Sequence, residues 1–279
     1  MTRANYCIHQ TGLAASGPLG ARPGWARRAG DACVGPPEGA DLGRSWRLIL
    51  STETWETYWR DYRSPDWWEK PAPEVLDLIR SLSPEHRPNV LDLGCGLGRH
   101  AIAFGLAGFS VTATDASSEA VQHLVHWARS LQLSIQTRVA DVLDRTLPRG
   151  SFDVVLSYNV LYHGTRERFM TAIEHVGCLL KPDGIFYFTC PSREDGKYGF
   201  GEQLAPHTYK CDKSVTPGDV HYFADECDLD EMLRGFDSIR RWMTEGYWDN
   251  RGSRQFYSNW NVLVAKKAGR TARQQDRGG

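Results

Sequence analysis

Val90-Leu91-Asp92-Leu93-Gly94-Cys95-Gly96-Leu97-Gly98-Arg99-His100 is the stretch on which the reading of this chain turns. A short apolar run, a glycine cluster and a helical pattern make a strand–loop–helix unit. Such a unit brings backbone close to a ligand and aims helix N–H groups at it. A dinucleotide-binding loop would read G-x-G-x-x-G and needs glycine at 99, where Arg99 stands. The pattern here is D-x-G-x-G-x-G. The missing side chains at Gly94, Gly96 and Gly98 predict room for a bulky ligand against the strand end. Asp92 places a carboxylate under the loop, which suits a cationic ligand better than a pyrophosphate.

Two further acids fall into step with it. Asp115 ends the next apolar run, 21 residues beyond Gly94, with Ala116 beside it; an acid there accepts hydrogen bonds from ribose hydroxyls. Asp141 ends the third run and precedes Val142, pairing a carboxylate for an exocyclic amine with a backbone amide. Three acids at the carboxyl ends of three successive parallel strands predict one shared crevice.

The flanking punctuation is regular. Pro73 opens a helix carrying Val75, Leu76, Ile79 and Leu82. Ile102, Ala103 and Leu106 suit one helix face that Gly108 ends in the left-handed conformation. Strands are expected at 109–114, 134–139, 152–156, 185–190, 237–243 and 256–266. Helices are expected at 120–131, along Phe169, Ile173, Val176 and Leu180, and around Leu229, Met232, Leu233 and Phe236. Residues 191–222 read as an irregular loop. Strands alternating with helices over about 200 residues predict a doubly wound α/β sheet.

On these motifs the chain resembles the class I S-adenosylmethionine-dependent methyltransferases, particularly the small-molecule branch of tellurite-resistance-like and methyltransferase type 11-like proteins. The resemblance covers about 70–267. Besides the glycine loop it rests on Ala140-Asp141-Val142, on FDVVLSYNVLYH (152–163), on LLKPDG (179–184) and on HYFADECDLDEMLRGF (221–236). It implies a Rossmann-like, seven-stranded, mostly parallel sheet whose last strand is antiparallel. It implies S-adenosyl-L-methionine as cofactor, with Gly94, Cys95, Gly96 and Gly98 around the methionine part. Asp115 would hold the ribose, and Asp141 and Val142 would meet the adenine. Ser157, Tyr158 and Asn159 would line the reacting end. Arg99 suits the cofactor carboxylate through its two-pronged guanidinium.

Methyl transfer makes few demands on catalytic side chains, since the protein mainly positions donor and acceptor and excludes water. The acceptor is therefore poorly encoded. His163, just past the fourth strand and near neutrality in its ordinary titration, is the candidate general base, with Tyr158 beside it. The aromatic segment at 55–70 reads as a lid, with Tyr58, Trp59 and Trp68 as candidate acceptor contacts, and Tyr198 in the Gly-rich stretch 198–201 is another. The turn after the fourth strand is Ser157-Tyr158-Asn159-Val160, lacking both the Asn/Asp-Pro-Pro-Tyr of amino-methylating enzymes and a Pro-Cys. Acids for a magnesium site are missing as well, and no metal is expected. The expected activity is methyl transfer to a small-molecule acceptor by in-line displacement. A protein or RNA methyltransferase, or a non-catalytic cofactor-binding domain, is the alternative.

The whole chain of 279 residues fits that class. It carries 33 Lys plus Arg against 34 Asp plus Glu, a net charge of −1 that argues against gripping nucleic-acid backbones. No apolar run approaches the roughly 20 residues that span a bilayer, so no membrane partner is expected. Seven cysteines without a C-x-x-C pair suggest a reducing, cytoplasmic setting. The expected layout is a disordered extension at 1–44, the aromatic lid at 45–69, the methyltransferase domain at 70–267 and a flexible tail at 268–279.

Overall fold

The run quoted above becomes the centre of a sheet. The computed structural model describes residues 52–60, 68–82, 88–212, 214, 216, 218–250 and 253–267. The expected extension at 1–44, the tail at 268–279, and Tyr62 and Trp67 of the aromatic segment lie outside these residues. In chain order the elements are α1 (Thr52–Arg60), α2 (Pro73–Ser81), β1 (Asn89–Leu93), α3 (Arg99–Leu106), β2 (Ser110–Asp115), α4 (Ser118–Ser130), β3 (Ile135–Val139), β4 (Phe152–Ser157), α5 (Arg166–Leu179) and β5 (Leu180–Pro191). Then come β6 (Glu202–Ala205), β7 (Thr208–Cys211), β8 (Asp219–Tyr222), α6 (Glu226–Met232), β9 (Phe236–Asn250) and β10 (Ser253–Lys266).

Seven strands pair in the order β3-β2-β1-β4-β5-β10-β9. All are parallel except β10, which runs antiparallel to both β5 and β9. The expected antiparallel last strand is thus in place, wedged between its neighbours. Connections from β1 run outward through β2 to β3, while β4 starts again on the other side of β1. That reversal leaves a crevice beyond the carboxyl ends of β1 and β4, where open α/β sheets take their ligands.

Strand alternation explains why the sheet is covered on both sides. Val90, Val154, Leu156 and Tyr187 feed one buried cluster with α2 and α3 residues such as Val75 and Phe104. Their sequence neighbours Leu91, Leu93, Val155, Phe186 and Phe188 feed the opposite cluster with Phe169, Ile173 and Val176 of α5. Nearly continuous apolar runs are what a parallel sheet buried on both faces needs.

α3 ends as the glycine at 108 foretells, in a Schellman motif. Phe109 N–H reaches Phe104 O at 3.1 Å and Gly108 N–H reaches Gly105 O at 3.0 Å. The two phenylalanine rings meet edge to face at 5.4 Å. Leu106, expected on the buried face, is 64% exposed. His100, Ala101, Ile102 and Phe104 turn inward instead, because the helix begins directly from the loop at Arg99 and this sets its rotation.

The stretch read as an irregular loop holds structure of its own. β6, β7 and β8 form a three-stranded antiparallel sheet around Tyr209, Cys211, Phe223 and Tyr198. Short strands of four residues, broken by Gly201 and Gly218, carry too few alternating positions to announce themselves. Two hydrogen bonds stitch β8 to the segment after β4. Gly164 N–H donates to Val220 O at 2.8 Å, and Tyr222 N–H donates to Tyr162 O at 2.9 Å. Among the described residues no helix is long and apolar enough to cross a membrane.

Candidate active site

A cavity of about 410 Å³ opens at the carboxyl ends of β1, β2 and β4, within the usual range for small-molecule sites. Gly94, Cys95, Gly96, Arg99, Asp115, Ala116, Asp141, Val142, Tyr158, Asn159, His163, Trp59 and Trp68 all line it, as do Trp55 and His100.

The loop is anchored from below. Gly94 and Cys95 N–H both donate to Thr114 O, at 2.8 and 2.9 Å. Asp115 Oδ2 accepts Gly96 N–H at 2.8 Å and its Oδ1 accepts Ser117 N–H at 2.9 Å. Burial raises the Asp115 carboxyl above its ordinary range, against those amides. The glycines answer a different need from the one expected. A Cβ on Gly94 would stand 2.4 Å from Val160, and one on Gly98 2.3 Å from Leu124; both have positive φ. Gly94 and Gly98 are glycines so that the loop can press onto its own core; Gly94 also lines the cavity, as does Gly96, whose added Cβ would face Trp59 at 3.1 Å.

Asp92 lies beneath the loop, 1% exposed and outside the cavity lining, with Oδ2 lacking any hydrogen-bond partner. Burial lifts its pKa to about 7, opposed by the Ala101 amide and by Arg99. A buried carboxyl with an orphaned oxygen under a glycine loop is a fit for a cationic ligand above it. Asp141 is exposed; its Oδ1 accepts Leu143 N–H at 2.9 Å and its Oδ2 meets Arg168 of α5 at 2.6 Å.

Aromatic side chains cover the opening. Trp55 and Trp59, one helical turn apart on α1, stack at 6.0 Å. Trp68 donates its indole N–H to Tyr58 Oη at 2.8 Å, so Tyr58 braces the cover from behind and does not line the cavity. Glu56 pins α1 down, accepting Ser117 Oγ and Ser118 Oγ at 2.5 Å each at the start of α4. Those two hydroxyls lower the Glu56 carboxyl. Arg99 lies between the rings of Trp68 and Tyr158, at 5.3 and 5.4 Å from their centres. His100 accepts Ala72 N–H on Nε2 at 3.2 Å, tying α3 to the start of α2, and burial drives its pKa well below the ordinary value.

The segment after β4 turns through Asn159, whose φ of 61° is left-handed. Thr189 holds it, with the Asn159 N–H donating to Thr189 Oγ1 and Thr189 Oγ1 donating to Asn159 Oδ1, both at 2.8 Å. Ser157 points into the sheet and donates to Leu93 O at 2.9 Å, away from the lining. Burial pushes the Tyr158 hydroxyl up, so it stays a neutral phenol.

His163 meets partners that its sequence position does not reveal. Its Nδ1 stands 2.7 Å from Asp219 Oδ2, off the line of an aligned hydrogen bond, and its Nε2 is 3.1 Å from Asn159 O. Burial alone would raise the Asp219 carboxyl, but the charge and hydrogen bond of His163 and the hydrogen bond of His221 pull it far below its usual range. Both His163 nitrogens therefore lie beside oxygens of the protein, Nδ1 beside Asp219 and Nε2 beside Asn159 O. His221, 3.3 Å from the same Oδ2, is fully buried, and burial lowers its pKa to about 4. These three side chains bring donor atoms within 4.8 Å of one another, the composition of a divalent-metal site, although here they are turned on each other. Asp219, Gly218 and Lys210 of the small sheet complete this end of the cavity. Tyr198 instead packs inside that sheet, its hydroxyl 2.8 Å from His207 Nδ1.

Residues 90–184 match the family model described as a methyltransferase domain. Over that stretch the chain is similar to S-adenosylmethionine-dependent methyltransferases. It is 29% identical over 175 residues to the ubiquinone biosynthesis O-methyltransferase of Actinobacillus pleuropneumoniae, covering 58% of this chain and 73% of that protein. It is also 29% identical over 103 residues to the probable S-adenosyl-L-methionine-dependent methyltransferase TehB of Haemophilus influenzae, over 37% of this chain and 35% of that one. The 1,6-didemethyltoxoflavin-N1-methyltransferase of Burkholderia thailandensis shares the fold, with a TM-score of 0.57 at 19% identity over 84% of this chain and 93% of that one.

Proposed function

We propose that this methyltransferase holds its cofactor along the β1–β2–β3 ends and presents a small-molecule acceptor between Trp55 of α1 and the small β-sheet. The Gly94–Gly98 loop cradles the methionine part, with Arg99 toward its carboxylate and Asp92 supplying negative charge from below. Asp115 accepts from the ribose hydroxyls, with Ala116 against the sugar. Asp141 and the Val142 amide meet the adenine. S-adenosyl-L-methionine supplies a methyl group on a sulfonium that departs as a neutral thioether.

The protein's share of the work is placement and exclusion of water. Glu56 clamps α1 over the opening, and the stacked Trp55 and Trp59 leave an apolar ceiling. Asn159, fixed by Thr189, sets the floor next to the reacting end. Tyr158, kept neutral by burial, is a hydrogen-bonding wall residue. His163 acts in the same sense: with its nitrogens beside Asp219 and Asn159 O, it shapes the acceptor end, and acceptors that need no general base, or that arrive already ionised, suit the site best.

The observation that carries this reading is the convergence of Asp115, Asp141 and the glycine loop on one cavity, with the buried Asp92 carboxyl beneath the loop keeping one oxygen without a hydrogen-bond partner. Calorimetry with S-adenosylmethionine and S-adenosylhomocysteine tests it. Micromolar binding that Asp115→Ala weakens is expected, whereas unchanged affinity in that variant overturns the ribose assignment. A methyl-release screen over thiols, amines, phenols and oxyanions then identifies the acceptor.

A further inference from the structure

At the acceptor end of the cavity one cation, Lys210, is not neutralised by any of the described residues. Lys210, on β7, lines the cavity together with Gly218 and Asp219. Its ammonium has no ion pair or hydrogen bond among the described residues. The other charges nearby are spent on each other: Arg168 on Asp141 at 2.6 Å, and Asp219 on His163 and His221. Glu202 stands opposite Lys210 in the β6–β7 register but makes no ion pair with it.

The small sheet is built so as to hold this lysine in place. Gly201 packs on the Lys210 backbone so closely that a Cβ there would lie 2.0 Å from the Lys210 carbonyl oxygen. Its φ of +100° admits little but glycine. On the other side the lysine stem passes across Gly218, where an added Cβ would stand 3.4 Å from Lys210 Cε. Gly218 N–H in turn donates to Cys211 O at 2.9 Å, closing the turn beside β7. β8, which follows that turn, is stitched to the segment after β4 through His163, Gly164 and Tyr222. The β7 backbone that carries the lysine is therefore fixed relative to the segment after β4.

We propose that the acceptor is an anion, and that Lys210 is the residue that reads its charge. The proposal rests on the reading of this cavity as the methyl-transfer site. A small molecule entering between Trp55 and Lys210 exchanges water for an apolar wall on one side and an ammonium on the other. A carboxylate, or an acceptor oxygen or sulfur already ionised, gains a charge-assisted hydrogen bond there. A neutral or cationic analogue leaves the ammonium without a counter-charge. An ionised acceptor atom also removes the need for a general base, and both nitrogens of His163 already lie beside oxygens of the protein.

The test uses the full chain saturated with S-adenosylhomocysteine and the probes benzoate, benzamide and benzylamine, with binding followed by ligand-observed NMR. Benzoate is expected to bind about tenfold or more tightly than benzamide, as loss of a charged hydrogen bond implies. Lys210→Met should erase that preference and Lys210→Arg should keep it, with S-adenosylhomocysteine affinity unchanged in both. Equal binding of the three probes, no detectable benzoate binding at millimolar concentration, or a preference that survives Lys210→Met overturns the proposal. Failure of S-adenosylhomocysteine itself to bind the unmodified chain instead overturns the reading of the cavity on which it rests.

Discussion

Replacing Asp92 with asparagine reverses its effect on stability between weakly acidic and weakly alkaline solution. The carboxyl is buried with a pKa of about 7 against an ordinary 3.8, and desolvation is the main cause. A value higher in the folded than in the unfolded chain means that folding takes up a proton between the two. The carboxyl is tolerated while protonated, and its cost grows as pH rises through about 7. The gap of roughly three powers of ten corresponds to about 4 kcal/mol above pH 8, at about 1.36 kcal/mol each. Asparagine escapes that cost and still offers the Ala101 amide an acceptor. It sets an N–H₂ where Oδ2 has no partner, at roughly 1–3 kcal/mol. Asp92→Asn is therefore expected to be less stable than the natural chain at about pH 4 and more stable by about 1–3 kcal/mol at about pH 8.5. Thermal melts of the cofactor-free protein read this as curves that cross between those two pH values, each kcal/mol moving Tm by about 2–4 °C. Binding gives a second reading. A cationic cofactor returns Asp92 to its ionised state, so calorimetry in buffers of different ionisation enthalpy should show about half a proton released near pH 7, and none in the variant. Melting curves that stay parallel from about pH 4 to 8.5 would refute the assignment of a near-neutral carboxyl under the loop.

Three other outcomes are expected. Asp115→Ala should weaken S-adenosylhomocysteine binding by about 1–3 kcal/mol in calorimetry, because the Gly96 and Ser117 amides lose their acceptor along with any ribose contact. Gly98→Ala combines a φ of +93° with a Cβ only 2.3 Å from Leu124, so a loss of about 2–4 kcal/mol in denaturant unfolding is expected, and adding Leu124→Ala should not restore the backbone part. Glu56→Gln should free α1 and speed cofactor release about threefold to tenfold in stopped-flow fluorescence of Trp59, with little change in the melting temperature; an unchanged release rate would show that α1 is not held by the Ser117 and Ser118 contacts.

The legibility of this chain divides along a physical line. β1, β2 and β4 announced themselves because strands buried on both faces must be apolar throughout, and Gly108 announced the end of α3 because the Schellman turn leaves no alternative at C′. Asp115 and the loop were legible because their contacts lie within one strand–loop–helix unit, so spacing in the chain is spacing in the site. Leu106 misled, since helical period alone does not fix which way a helix is rotated. The roles of Gly94 and Gly98 were also hidden, for Val160 and Leu124 lie far along the chain from the loop they touch.

Asp219 is the sharpest case of what spacing cannot carry. Nothing at 219 resembles a motif, yet the residue sits 2.7 Å from His163, 56 positions earlier, because β8 pairs with the segment after β4. That pairing decides the chemistry available to His163. A histidine read alone at a helix start is a candidate base; in the fold the same ring has one nitrogen beside an ionised carboxylate and the other beside Asn159 O. In the proposed reading, the cofactor half of the site is fixed by short-range geometry around β1 and β2. The acceptor half is assembled from α1, the segment after β4 and a small sheet inserted between β5 and α6, three pieces remote from one another in the chain. Substitutions in that inserted sheet are therefore free to change which molecule is methylated while leaving the glycine loop and Asp115 untouched, and Lys210 and Asp219 are where such a change would first be felt.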